Sequence, residues 1–269
     1  MIDGKYYCID AHCHIYPDAI AERAVAGTDN FYSLHSVYKG TAADLIEKGS
    51  AAGIDKYIVQ SVATNPKQVK SINEFIAREV SLFPDKLIGL GTMHPGSTDI
   101  KGDIEHLVEL GLKGVKLHPD IQAFKIYDYR CLKIYELCEE KGLTILMHTG
   151  DSRFDYSNPN RMLPILEIYT NLTVIGAHLG GWSVWDDAKE KLAGHKNFYV
   201  DTCSCFAFME KVKALEIIRR YGADKVLFGT DYPMWKYEDE LEYFLSLGLD
   251  SSEKESILNI NAKKLFGLE

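Results

Sequence analysis

The chain has 269 residues, 46% of them hydrophobic, which is enough for one large domain with a sizeable core. Lys+Arg 30 against Asp+Glu 39 gives a net charge of −9, and an acidic chain without a basic run argues against a nucleic-acid partner while leaving room for a small anionic one. No apolar stretch approaches the roughly 18–20 residues of a membrane span.

Short apolar runs rich in Val, Ile and Tyr alternate with longer amphipathic segments. Strands are expected at 6–14, 55–63, 86–93, 114–118, 143–149, 172–179, 197–204 and 225–231. The first starts so close to Met1 that a signal peptide has no room, so the expected location is the cytoplasm and the six cysteines are expected as thiols. Between the strands, Thr41–Ala52 reads as a helix with Thr41 as N-cap, and Pro66–Phe83 as one with proline at its start. Asp99–Leu110 and Tyr129–Lys141 stop at Gly111 and Gly142. Arg161–Tyr169, Trp185–Leu192 and Phe208–Tyr221 follow, then 237–247 and 252–266. Residues 16–40 form an unusually long connection after the first strand, expected to act as a lid or pocket wall; Phe31, Tyr32, His35 and Tyr38 lie in it. Eight strands, each followed by a helix, in about 250 residues predict an α/β fold, a single-domain (β/α)8 TIM barrel over 1–269. A doubly wound open sheet would usually carry a glycine-rich dinucleotide turn, and none is present.

Polar residues gather at one place, the C-terminal ends of the strands. Strand 1 ends in His12-Cys-His14, strand 4 in Lys116-Leu-His118-Pro, strand 5 in His148-Thr-Gly, strand 6 in Ala177-His178-Leu-Gly-Gly181, and strand 8 in Gly229-Thr-Asp231-Tyr-Pro233. In a barrel these ends ring one pocket, where active sites form. Residues two apart on a strand share a face, so His12 and His14 point together. Imidazoles with one carboxylate suit a divalent first-row metal, and His12, His14, His148 and Asp231 make four protein ligands. One ion is expected, zinc first, with manganese, iron or cobalt as the alternatives.

These motifs together resemble the amidohydrolase superfamily, in its amidohydrolase-2 branch, which holds both hydrolases and metal-dependent decarboxylases. The resemblance runs from strand 1 to the last helix, where Ile260-Asn-Ala-Lys-Lys-Leu-Phe266 also matches. It implies the (β/α)8 barrel, the metal held by His12, His14, His148 and Asp231, and a catalytic or substrate-facing His178 near the metal-bound water. Some superfamily members carboxylate a strand-4 lysine to bridge two metals; here His118 occupies the strand end, so one metal is preferred. Lys116 is expected to face inward and to pair with Asp10.

Asp231 is the expected general base and His178 the group that orients water or polarises substrate. His118, Arg153 and Tyr32 are the expected substrate contacts, Arg153 because a guanidinium grips a carboxylate bidentately. Arg161 reads rather as a surface ion pair. His94 stands near the pocket, and Trp182, Trp185 and Trp235 are candidates for its wall. Cys203-x-Cys205 reads as small buried strand residues rather than a soft-metal pair.

The leading reading is a metal-dependent hydrolase of a small ester, lactone or amide. The alternative is a nonoxidative decarboxylase of an aromatic or unsaturated carboxylate. A barrel that binds a metal or small molecule without catalysis is the third. The partner is a small-molecule substrate, with a homodimer as the expected assembly.

Overall fold

A computed structural model describes residues 1–2 and 4–268. Eight parallel barrel strands alternate with helices, as the hydrophobic pattern requires. β1 (Ile9–His14) pairs with β2 (Lys56–Gln60), and β2 with β3 (Leu87–Gly89). β4 (Gly91–Thr92) resumes the third barrel strand after Leu90, whose amide donates to the Val59 carbonyl at 2.9 Å. From it the order runs through β5 (Gly114–Leu117), β6 (Thr144–Met147), β7 (Val174–Gly176), β8 (Phe198–Asp201) and β9 (Val226–Leu227). The cylinder closes where β9 and its extension meet β1. There the Ala11 amide donates to the Phe228 carbonyl at 2.8 Å, and the His14 amide to the Tyr232 carbonyl at 2.7 Å.

Ile9, Ala11, Ile58, Leu90, Leu146, Ile175 and Leu227 fill the inside of the cylinder, and Ala262 and Phe266 of the last helix join that cluster. A larger apolar shell lies between the strands and the surrounding helices. Helix starts and stops follow local chemistry. Thr41 caps α2 (Ala42–Ala52) by accepting from the Asp44 amide at 3.3 Å, and Asp99 caps α4 (Ile100–Glu109). Gly142, at φ 66°, ends α6 (Tyr129–Lys141) in the left-handed conformation that glycine adopts without strain.

Three departures from the sequence reading bear on the site. Residues 16–40 contain a helix, α1 (Ala21–Tyr32), whose inward stripe of Ala21, Ala24, Val25, Thr28 and Phe31 is built mainly of small residues around Gly27 and is faint in the sequence. The last barrel strand is two residues long, because the chain turns away after Leu227 toward Asp231 at φ 61°. The third is an irregularity in β1: its register against β2 shifts between Asp10 and Cys13. Before the shift Ile9 and Ala11 face the interior, and after it His12 and His14 do. A bulge of this kind swaps the face that each residue presents.

Among the described residues no helix is long and apolar enough to cross a membrane.

Candidate metal centre

The shift in β1 brings His12 to the barrel mouth with its ring fully constrained. Its Nδ1 lies 2.8 Å from Asp201 Oδ2, at the end of β8. An ionised carboxylate only accepts, so Nδ1 carries the proton and Nε2 presents a lone pair. Burial opposes charge on Asp201, but His12 and His178 outweigh it and hold the carboxyl well below its usual range. The remaining oxygen of Asp201 accepts from the amides of His178, at 3.0 Å, and Cys203, at 3.2 Å.

His12 Nε2 lies 3.2 Å from His14 Nε2 and 3.5 Å from Asp231 Oδ1, and the last two atoms are 3.6 Å apart. Donors about 2.1 Å from one ion are separated by about 3.0 Å at a right angle and about 3.4 Å at a tetrahedral one. The triangle therefore has the edge lengths of a coordination shell. Asp231 is held from behind, since its Oδ2 accepts from Ser204 Oγ at 2.5 Å, and Ser204 accepts from Trp235 Nε1 at 2.8 Å. Burial works against its charge too, yet the pull of His12, His178 and His14 in their protonated forms, with the Ser204 hydrogen bond, brings its pKa below the ordinary value.

A second pair of nitrogens has the same character. His178 Nδ1 donates to the Cys203 carbonyl at 2.9 Å, which leaves its Nε2 as a lone pair. That Nε2 faces His148 Nδ1 at 2.9 Å. On its other side His148 Nε2 lies 3.3 Å from Asp120 Oδ2, off the line of a hydrogen bond. With Asp120 ionised, the proton of His148 belongs on Nε2 and its Nδ1 also bears a lone pair. Burial pushes the pKa of His14, His148 and His178 down, so these rings are neutral. The lone pairs of His12 Nε2 and His14 Nε2, 3.2 Å apart in a buried site beside the Asp231 carboxylate, call for a cation among them. The residues fit a divalent ion.

Lys116 Nζ lies 3.0 Å from His12 Nε2, with burial pressing its pKa down. The expected Lys116–Asp10 pair does not form. The β1 shift turns Asp10 to Thr230, whose amide and hydroxyl it binds at 3.0 and 2.5 Å.

Two other clusters have ligand-type residues within 4.8 Å of one another. One joins Cys203 to His12 and Asp231. The thiol, however, sits 3.1 Å from the protonated Nδ1 atoms of His12 and His178, on the far side of both rings from their lone pairs. The other is His118, Asp120 and His148. There the His118 and His148 rings stack at 3.9 Å and 9°. Ring lone pairs lie in the ring plane, so stacked rings point theirs side by side and not at a shared ion. His118 is occupied otherwise: Nδ1 accepts from the Ile121 amide at 3.3 Å, and Nε2 meets Tyr32 Oη at 2.7 Å.

A cavity of about 570 Å³ opens over these donors. His12, His14, Lys116, His118, His148, His178 and Asp231 line its inner end, with Phe31 and Tyr32 of α1 above. Arg153 is not among the lining residues. It pairs with buried Asp151 at 2.7 Å, donates to the Phe31 carbonyl at 2.8 Å, and stacks on Phe31, Tyr32, Phe154 and Trp182. These contacts clamp the end of α1. Arg161 pairs with Asp155, and His94 caps a turn by accepting from the Gly96 amide at 3.0 Å. Trp185 donates to the His178 carbonyl at 2.9 Å, so it supports the site from outside. Asp201, Asp120 and Ser204 went unread in the sequence. Asp201 had a legible signal, a carboxylate ending Phe-Tyr-Val-Asp at the same level as the other strand-end groups.

A family model described as Amidohydrolase matches residues 9–268. The 2-amino-3-carboxymuconate-6-semialdehyde decarboxylase of Dictyostelium discoideum is 25% identical over 243 residues, 74% of this chain and 66% of that protein. The chain thus spans just under two thirds of that relative's length. An uncharacterized TIM-barrel protein from Bordetella bronchiseptica superposes with a TM-score of 0.81 at 22% identity, over 97% of this chain and 98% of that one. A dihydroxybenzoic acid decarboxylase from a Polaromonas species, solved with manganese and the inhibitor 2-nitroresorcinol, has a TM-score of 0.76 at 16% identity, over 97% of each chain. These structural likenesses confirm the barrel.

Proposed function

The chain belongs to the amidohydrolase family over residues 9–268, and from that premise we propose that it is a metal-dependent nonoxidative decarboxylase of a small aromatic or unsaturated carboxylate. The observation that carries this reading is the convergence of His12 Nε2, His14 Nε2 and Asp231 Oδ1 within 3.6 Å of one another at the inner end of a deep cavity. The decarboxylases among the relatives favour carbon–carbon cleavage over the hydrolysis that leads the sequence reading. His12, His14, His148 and Asp231 are the proposed ligands of a single divalent ion, and manganese in the Polaromonas protein puts that metal beside zinc. When bound, such an ion supplies Lewis-acid polarisation to a substrate carboxylate and an adjacent oxygen.

The chain's own residues set the rest. Asp201 and the Cys203 carbonyl fix the tautomers of His12 and His178, so lone pairs face the cavity. On cleavage, CO2 leaves without the bonding electron pair, and the carbon that keeps the pair takes up a proton. His178 Nε2, a lone pair at the cavity's inner end, is the proposed relay: it first takes a proton from the substrate's hydroxyl or from water and then hands it to that carbon, which returns the ring to its neutral form. A substrate seated against the apolar part of the outer walls displaces water, which weakens solvation of the ground-state carboxylate and favours loss of CO2.

The test is a panel of hydroxybenzoates, unsaturated carboxylates and lactones given to protein loaded with manganese or zinc. CO2 release from a carboxylate, with no acid release from lactones, is the expected result. Acid release alone restores the hydrolase reading.

A further inference from the structure

The cavity is larger than a simple chelating acid requires. At about 30 Å³ per water-sized unit, its volume of about 570 Å³ holds roughly 19 non-hydrogen atoms, against about ten in a monohydroxybenzoate. Away from the imidazoles the lining comes from α1 and the Ile20 that precedes it, with Ala24, and from α3 (Val69–Leu82), with Ile72 and Phe75.

Polar side chains on those walls are turned back on the protein. Ser71 Oγ donates to the Gln68 carbonyl at 3.1 Å. Gln68 Oε1 accepts from the Thr64 amide and hydroxyl at 2.8 and 3.0 Å. Thr28 Oγ1 donates to the Ala24 carbonyl at 3.4 Å. With these bonds made internally, the Gln68 NH2 is the group of this set left without a partner among the described residues, and much of the surface left over is carbon. Arg23, exposed at the rim, is the one cation of the outer walls among the described lining residues.

We infer that the substrate carries an apolar extension, an aryl or alkyl group beyond its chelating end, seated between α1 and α3. The inference rests on the carboxylate reading of the same site and adds the chemical class of the acid. A bare hydroxybenzoate would leave that chamber filled with water against apolar walls, whereas an extended acid displaces it.

Binding of salicylate and of its 4-phenyl and 5-phenyl derivatives to manganese-loaded protein, measured by isothermal titration, tests this. At least one phenyl derivative is expected to bind tenfold or more tightly than salicylate. Ile72→Trp, at a half-buried helix position, fills the chamber; it is expected to cut that advantage to within twofold while salicylate binds as before. Ile20→Trp, on the exposed end of the facing wall, is expected to act the same way. Equal affinity for all three ligands, binding of none, or an advantage intact in both tryptophan variants overturns the inference. A preserved binding ratio without CO2 release from any of the three acids counts against the decarboxylase reading alone.

Discussion

Asp201→Asn is the most discriminating single substitution in this protein. The carboxylate accepts three N–H groups: His12 Nδ1 at 2.8 Å on one oxygen, and the His178 and Cys203 amides at 3.0 and 3.2 Å on the other. An asparagine cannot serve all three. With its NH2 toward the two backbone amides it meets donors that have no other tautomer. The amide therefore turns its NH2 toward His12, and His12 moves its proton to Nε2, the atom meant to hold the ion. To bind metal the ring must revert and leave a buried donor facing a donor. An unmade buried hydrogen bond costs about 1–3 kcal/mol, which converts to roughly 5- to 150-fold in affinity at about 1.4 kcal/mol per tenfold. Competition against a chelator for manganese and zinc reads this directly, with thermal unfolding as a check that the fold survives. The expected result is a loss of about 10- to 100-fold, in line with the usual effect of a carboxylate behind a ligating histidine. Asp201→Asn binding metal within twofold of the parent would refute the tautomer argument.

Asp120→Asn acts on His148 in the same sense but more weakly, since the contact is 3.3 Å and lacks hydrogen-bond alignment; a loss of metal affinity as large as that of Asp201→Asn contradicts this ranking. Arg153→Leu frees the end of α1 and strips buried Asp151 of its partner. It should lower stability by about 1–3 kcal/mol and raise KM severalfold, with metal affinity within twofold; an unchanged KM contradicts the clamp. Glu240 is buried on α10 (Tyr237–Ser246), and its Oε2 makes no hydrogen bond among the described residues. Burial, then the charges of Asp10 and Asp231, raise its carboxyl well above the ordinary 4.5. A raised acid binds its proton more tightly in the folded state, so its share of stability is complete below the unfolded pKa. That share falls as pH rises through the folded one, by about 1.4 kcal/mol per unit. Glu240→Gln removes that slope. Urea unfolding from pH 4 to 8 should show the variant gaining on the parent as pH rises, and parallel curves would contradict the assignment.

The barrel and the level of its active end were legible because both depend on periodicity: alternating strands and helices, with polar residues at successive strand ends. His12, His14 and Asp231 were found that way, and the structure brings all three together. Parity arguments failed where backbone geometry departs from regularity. An unbroken β1 turns Asp10 toward Lys116, whereas the register shift sends it to Thr230. α1 is faint in the sequence because its inward stripe is mainly small residues, Ala21, Ala24 and Thr28, around a helix-weakening Gly27. Arg153 illustrates a third limit. A guanidinium beside a pocket serves a ligand or a neighbour equally well, and only the positions of Asp151 and Phe31 decide between them. Asp120 was unreadable for the same reason, since nothing in Leu-His-Pro-Asp indicates that it lies behind His148.

Anomalous diffraction from crystals of the manganese-loaded protein addresses the metal centre most directly. One peak per chain is expected, about 2.0–2.2 Å from His12 Nε2, His14 Nε2 and Asp231 Oδ1, with His148 as the fourth protein ligand. A peak seated between His118 and Asp120, or none at the barrel mouth, would contradict it.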